Sequence, residues 1–256
     1  MKSYIAFTKK EFCENIRTYK CFIMLMVFLL IGIMNPVTAK ILPKILNSMM
    51  SQMEGIKMTI AEPTALDSWM QFFKNVPQMG LIVLVVVFSG IMTNEFNKGT
   101  LINMLTKGLS RKIVILSKFT MATSVWTISY IICFITTYGY TMYLWGNEGI
   151  NNLLISVVSI WVFGILLIST VILGGVIFRN IYGALLSTGG VVVMLTIINL
   201  IPKIEEYNPL KLTTENMQLI TNKISNGDFI TPIVVSILIS ILFIISSISI
   251  FNKSQV

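Results

Sequence analysis

The residues of this sequence that are able to do chemistry are few. It has no histidine, and its three cysteines, Cys13, Cys21 and Cys133, form neither a CxxC pair nor a zinc-ligand spacing. They read as buried, reduced thiols. No GxxxxGK[ST] phosphate loop occurs, so ATP is not bound by that route. Acid–base or nucleophilic work needs His, Asp, Glu or Cys brought together, and ion-coupled carriage needs ionisable groups at membrane depth. The long apolar runs of this chain hold no Asp, Glu, Lys or Arg. The chain therefore reads as no enzyme in itself, with no catalytic, metal-binding or cofactor-binding residues, and its energy must come from a partner.

Those apolar runs define the elements. Hydrophobic residues make up 55% and charged residues 12% of the 256, against about 25% charged in soluble domains. Six runs approach or exceed the ~20 residues that cross a bilayer: 21–39, 77–93, 119–144, 153–178, 181–201 and 231–251. The expected fold is all-α, a single polytopic membrane domain over 1–256. With the N-terminus inside, the inner segments carry 12 Lys and Arg and 3 acids, and the outer segments 7 and 8. That bias satisfies the positive-inside rule and places both termini in the cytoplasm, in a cell-membrane protein. It also accounts for the net charge of +8 without nucleic acid.

Residues 1–20 are too polar to span. Ile5, Phe12, Ile16 and Tyr19 share one helical face with Lys9, Lys10, Glu14 and Arg17 elsewhere, which reads as an amphipathic helix on the inner interface; a frayed tail is the alternative. "VTA" before Lys40 resembles a signal-peptide cleavage site, but the long mixed-charge leader suits a retained span. The first span is expected to bend or stop near Asn35-Pro36. The outer segment after it is Met-rich and ends in Trp69, Phe72 and Phe73, read as an interface anchor; the methionines either pack or offer a greasy contact surface. In the outer segment 202–230, "TTENMQLITNKISNG" reads as one short helix capped by Thr213 or Thr214, with Met217, Ile220 and Ile224 on a face and Gly227 as its stop. Asn35, Thr137 and Asn199 are polar groups near span ends that either line a pathway or bond helix to helix.

The segment 94–118 stands apart. In "EFNKGTLINMLTKGLSRKIVILSK", Glu95 to Lys118, Thr100 can cap a short helix "LINMLTK", Gly108 suits the left-handed position past its end, and Ser110 can cap the next helix. Leu101, Leu105, Leu109 and Ile113 recur every four residues among Lys98, Lys107, Arg111 and Lys112. A solvated positive-inside loop and a rigid amphipathic knob both fit this pattern. The order E-x3-GTL, then LSR and a downstream lysine (Glu95, Gly99, Thr100, Leu101, Leu109, Ser110, Arg111 and Lys118) resembles the intracellular loop of type-2 ATP-binding cassette permeases. That resemblance, spanning almost the whole chain, implies six spans, cytoplasmic termini, an N-terminal interface helix, a coupling helix between the second and third spans, and a re-entrant outer element over 202–230. It further implies an exporter subunit whose loop docks in a cytoplasmic ATP-binding cassette ATPase through Glu95, Gly99, Thr100, Leu101, Leu105, Gly108, Ser110 and Arg111, beside a second permease chain, the same or related. Glu95 would pair with a cation of the ATPase or with Arg111. A path without fixed charge suits hydrophobic or amphipathic cargo: a peptide or drug first, a lipid next. The competing reading is a non-transporting membrane anchor or sensor that recruits a cytoplasmic regulator. A passive channel fits less well, since no span carries a charge ring or a filter-like glycine run.

Overall fold

The computed structural model describes residues 2–50, 62–99, 106, 108–146 and 150–253. Among these residues the protein is all-helical, and six helices are long and apolar enough to cross a membrane. It is a polytopic helical membrane protein. Helix α1 is Lys2–Arg17 and α2 is Lys20–Met50. The second span is built in pieces: α3, Ala65–Asn75, a π-helical turn at Val76–Gly80, and α4, Leu81–Phe88. Short α5, Thr93–Lys98, ends at Gly99, whose left-handed φ of 62° favours glycine. Then come α6, Arg111–Trp145, α7, Leu153–Phe178, and α8, Ile181–Ile198. Two helical turns, α9 (Lys211–Thr214) and α10 (Asn216–Ile220), lead to α11, Gly227–Lys253.

Helix α7 is the axis, the most enclosed of the six, packed against α6, α8 and α11. Its glycines set those distances: a Cβ on Gly164 would lie 2.4 Å from the Trp126 indole, and one on Gly174 only 1.9 Å from Ser187 Oγ. Small residues let helices approach where no hydrophobic drive separates protein from lipid. Trp126 is locked by its own bond, Nε1 donating to the Trp161 carbonyl at 3.1 Å.

Several expected boundaries move, each for a physical reason. Pro36 does not end the first span; α2 runs through it to Met50. Proline leaves the carbonyl of Gly32 without its helical donor, and the Thr137 hydroxyl on α6 donates to that oxygen instead, at 3.0 Å. Trp69, Phe72 and Phe73 are not an interface anchor but core, inside a second span that begins at Ala65 rather than 77. Pro77, which cannot donate to Phe73, lies in the π-helical turn, where one wider turn absorbs the misfit. The segment "TTENMQLITNKISNG" is two helical turns broken at Glu215, Thr213 and Thr214 bond back to the Leu210 carbonyl rather than cap, and Gly227 starts α11 rather than stopping a helix.

Gly164→Ala should destabilise the protein by about 1–3 kcal/mol through overpacking against Trp126. Gly190→Ala, where an added Cβ meets nothing within 4 Å, should instead be neutral or stabilising by up to roughly 1 kcal/mol. Thermal unfolding in detergent compares the two.

Candidate functional site

The charged residues converge where α1, α5 and α6 meet. Along α1, Phe7, Glu11 and Asn15 recur every four residues and form the buried face. The apolar face expected to matter, with Ile5, Ile16 and Tyr19, is exposed, and Tyr19 lies beyond the helix at a φ of 59°. Helix α1 thus turns its polar stripe inward, onto α6. The hydroxyl of Tyr4 meets that of Thr120 at 2.7 Å, and Asn15 Nδ2 donates to the Glu11 carbonyl at 2.9 Å.

Helix α6 begins at Arg111, capped by Ser110, whose Oγ accepts from the Ile113 amide at 3.4 Å. Lys118 therefore sits two turns inside the helix that Ser110 caps, just ahead of the apolar run from 119. The expectation that no charge is buried among the spans fails here: the side chains of Lys118, Glu11 and Glu95 are only 2, 3 and 4% exposed.

Four of these groups close a ring of alternating charge. Lys118 Nζ contacts Glu11 Oε2 at 2.9 Å and Glu95 Oε2 at 3.1 Å. Lys10 Nζ contacts the other oxygens, Glu11 Oε1 at 3.0 Å and Glu95 Oε1 at 2.6 Å. Each carboxylate faces a lysine with each of its oxygens, Glu95 Oε2 meeting Lys118 as an ion pair without a hydrogen bond, and each ammonium spans two carboxylates. Glu14 joins from outside at 2.8 Å from Lys10. Oxygens of Glu11, Glu14 and Glu95 lie within 4.8 Å of one another, a crowding that demands positive charge, and the two lysines supply it. Glu95 does not pair with Arg111.

Burial pulls the Lys10 pKa down, but its hydrogen bonds to Glu14 and Glu95 and the charges of Glu11 and Glu95 outweigh that and raise it above the ordinary 10.5. Burial pushes Glu14 up, and the Lys10 hydrogen bond and charge overcome it, leaving Glu14 below the ordinary 4.5. Lys10 is thus held as an ammonium and Glu14 as a carboxylate.

Arg111 closes a second seam. Its Nη1 donates to the Phe251 carbonyl and, at 2.9 Å, to that of Asn252, binding the last carbonyls of α11, and its guanidinium stands 5.4 Å over the Phe251 ring. Phe251 meets Phe96 edge-on at 5.8 Å, and Arg179, in the α7–α8 turn, lies 5.6 Å over Phe96.

Of the other predicted residues, Gly108 holds φ 88°, while Thr100, Leu101 and Leu105 lie outside the described residues. Asn35 and Thr137 are fully buried and bonded between helices: Asn75 Nδ2 donates to Asn35 Oδ1 at 2.9 Å, and Asn35 Nδ2 to Thr137 Oγ1 at 3.2 Å. Asn199 Oδ1 accepts from Asn208 Nδ2 at 3.0 Å. Sequence reasoning missed Glu11 and Lys10 as partners. The available signal was the Phe7–Glu11–Asn15 stripe, an acid where an amphipathic helix would place an apolar residue. Compared with known families, curated proteins and solved structures, the chain matches no family model, no curated protein and no solved structure.

Lys118→Met leaves two buried carboxylates facing each other and should cost about 3–5 kcal/mol, and adding Glu11→Leu should recover part of the loss; chemical unfolding of the single and double variants measures it. The Glu14 contribution is complete above pH 4.5, because its folded pKa is depressed, and declines as pH falls below that value. The Lys10 contribution, with a raised folded pKa, persists up to about pH 10.5 and fades only above it. The protection factors of the α1 amides, with the intrinsic pH dependence of exchange divided out, should accordingly be steady from pH 5 to 10 and fall on acidification below about 4.5.

Proposed function

We propose that this chain is the membrane-spanning permease subunit of an ATP-driven exporter of the type-2 ATP-binding cassette class. The observation that carries the proposal is the charge ring of Lys10, Glu11, Glu95 and Lys118. It binds the two helices flanking residues 99–110 to α1, at the base of the segment that resembles the coupling loop. Force applied there would reach α1 and the second and third spans together, and through Arg111 the end of α11. A loop that only joined two spans would have no need of such a base.

On this reading the segment that holds Leu101 and Leu105 docks in a cytoplasmic ATPase, and a second permease chain completes the transporter. Helix α1 lies at the inner interface, with exposed Ile5, Ile16 and Tyr19 towards lipid and its cations towards headgroups. Both termini lie in the cytoplasm, in keeping with the Lys and Arg bias, and the chain resides in the cytoplasmic membrane. Residues 202–230 form a re-entrant outer element, supported by the complete burial of Leu212, Leu219 and Ile220. An almost wholly apolar groove of about 510 Å³ between α4, α7 and α8, bounded by Leu81, Phe163, Leu167 and Val192, suits hydrophobic or amphipathic cargo, a peptide or drug before a lipid.

Purification of the tagged chain in mild detergent, expressed with its neighbouring reading frames, should recover a protein bearing a phosphate-loop motif. Leu101→Asp with Leu105→Asp should abolish that recovery and transport together while the permease still folds. Recovery of a partner with no nucleotide site would replace the exporter with a membrane anchor.

A further inference from the structure

At the far end of α11 from the charge ring, about 40 Å along a helix of 27 residues, the protein has a second polar concavity. It measures about 270 Å³ and is lined by Glu206, Tyr207, Lys211, Ile224, Asp228 and Thr231. We propose that this cavity binds a small zwitterion, an ammonium group joined by a short linker to a carboxylate or phosphate, independently of the transport reading.

Lys211 supplies the positive charge of this cavity. The residue is only 8% exposed, and its one carboxylate partner among the described residues, Glu215, stands 3.5 Å away. That spacing is an ion pair longer than a hydrogen bond. The charge is partly balanced, and among the described residues no oxygen accepts from the ammonium at hydrogen-bond distance, which leaves its N–H donors for an anionic oxygen in the cavity. The opposite requirement comes from the rim. Glu206 is exposed, and among the described residues it makes no hydrogen bond or ion pair. Asp228, also exposed, accepts from the Ser225 amide and hydroxyl at 3.1 and 3.0 Å, both on Oδ2. Its Oδ1 remains for another donor.

A simple cation would be attracted by the rim and repelled by Lys211, and a simple anion the reverse. Only a ligand carrying both charges satisfies floor and rim together, its oxyanion on Lys211 and its ammonium on Glu206 and Asp228. Tyr207 and Thr231 add hydroxyls, and Ile224 an apolar wall for the linker. A site at the end of membrane-crossing helices meets such groups from two sources, a phosphoethanolamine lipid headgroup or a free amino acid.

The test uses the full chain in phosphatidylcholine nanodiscs, whose quaternary ammonium offers no N–H donor. Calorimetric titration compares glycerophosphoethanolamine, glycine, ethanolamine and glycerol phosphate. Saturable binding of glycerophosphoethanolamine, at least tenfold tighter than of ethanolamine or glycerol phosphate, is expected. Equal binding of glycine would identify the free amino acid as a source, and its failure would leave the lipid headgroup. Glu206→Gln should weaken binding about tenfold without moving the thermal midpoint, and Lys211→Met should abolish it. Should Lys211→Met fail to fold, Glu206→Gln alone decides. No saturable binding, ethanolamine bound as tightly as the zwitterion, or unchanged affinity in Glu206→Gln would overturn the proposal.

Discussion

Taking a lysine ammonium out of water costs several kcal/mol unless anionic oxygens surround it, and Lys118 is out of water almost completely. Much of the architecture at this end of the protein follows from meeting that cost. Two carboxylates are needed, and they come from different elements, Glu11 on α1 and Glu95 on α5. Those carboxylates repel each other, so a second cation, Lys10, must close the ring on the other side. Lys10 and Glu11 are adjacent in sequence and Glu14 is one turn away, so a single face of α1 supplies three of the five charges. The helix is therefore oriented by electrostatics, its polar stripe inward and several of its apolar side chains outward, the reverse of a soluble amphipathic helix.

Elsewhere the same accounting governs uncharged groups. In an apolar interior every backbone group needs a partner, and the prolines of the spans each remove one donor. At Pro36 the hydroxyl of Thr137 fills the gap, and Asn35 and Asn75 extend the bond from α2 to α3 and α6. At the opposite end, Asn216 receives the Ser159 hydroxyl at 2.8 Å and Asn208 donates to the Leu195 carbonyl at 2.8 Å, holding the turns before α11 against α7 and α8. Polar side chains buried among helices serve here as fasteners between elements, and at Gly32 one of them replaces the backbone bond that Pro36 cannot make. The middle of the bundle is set by size instead, with glycines on α7 admitting Trp126 and Ser187.

Together these constraints make two stiff ends joined by α6, α7 and α11. One is the charge ring with the Arg111–Phe251–Phe96–Arg179 seam, the other the asparagine-bonded turns before α11. Under the proposed function the first end receives a push at residues 99–110 and passes it on as a unit, since no member of the ring can move alone without stranding a buried charge. The mixed-charge cavity beside Lys211 belongs to the second end, where a ligand would strengthen a site whose ammonium lacks close acceptors.

The number of spans, the helical class and the near-exact limits of the fourth span, 153–178, were legible in the sequence, because the transfer free energy of an apolar run depends on local composition alone. The Ser110 cap and the left-handed Gly108 were legible for the same reason: they answer the needs of their own few residues. What was not legible was pairing. Nothing near Glu95 distinguishes Arg111 as a partner from Lys10, 85 positions away, and nothing near Pro36 announces Thr137. Whether Lys118 is buried within the helix that Ser110 caps, or a second span starts at Ala65, depends on whether another helix is there to bury Lys118 or Trp69. Local sequence determined which segments leave water. Only the tertiary structure decided which charges and hydroxyls travel with them, because burying such groups is affordable only when partners from distant segments arrive at the same place.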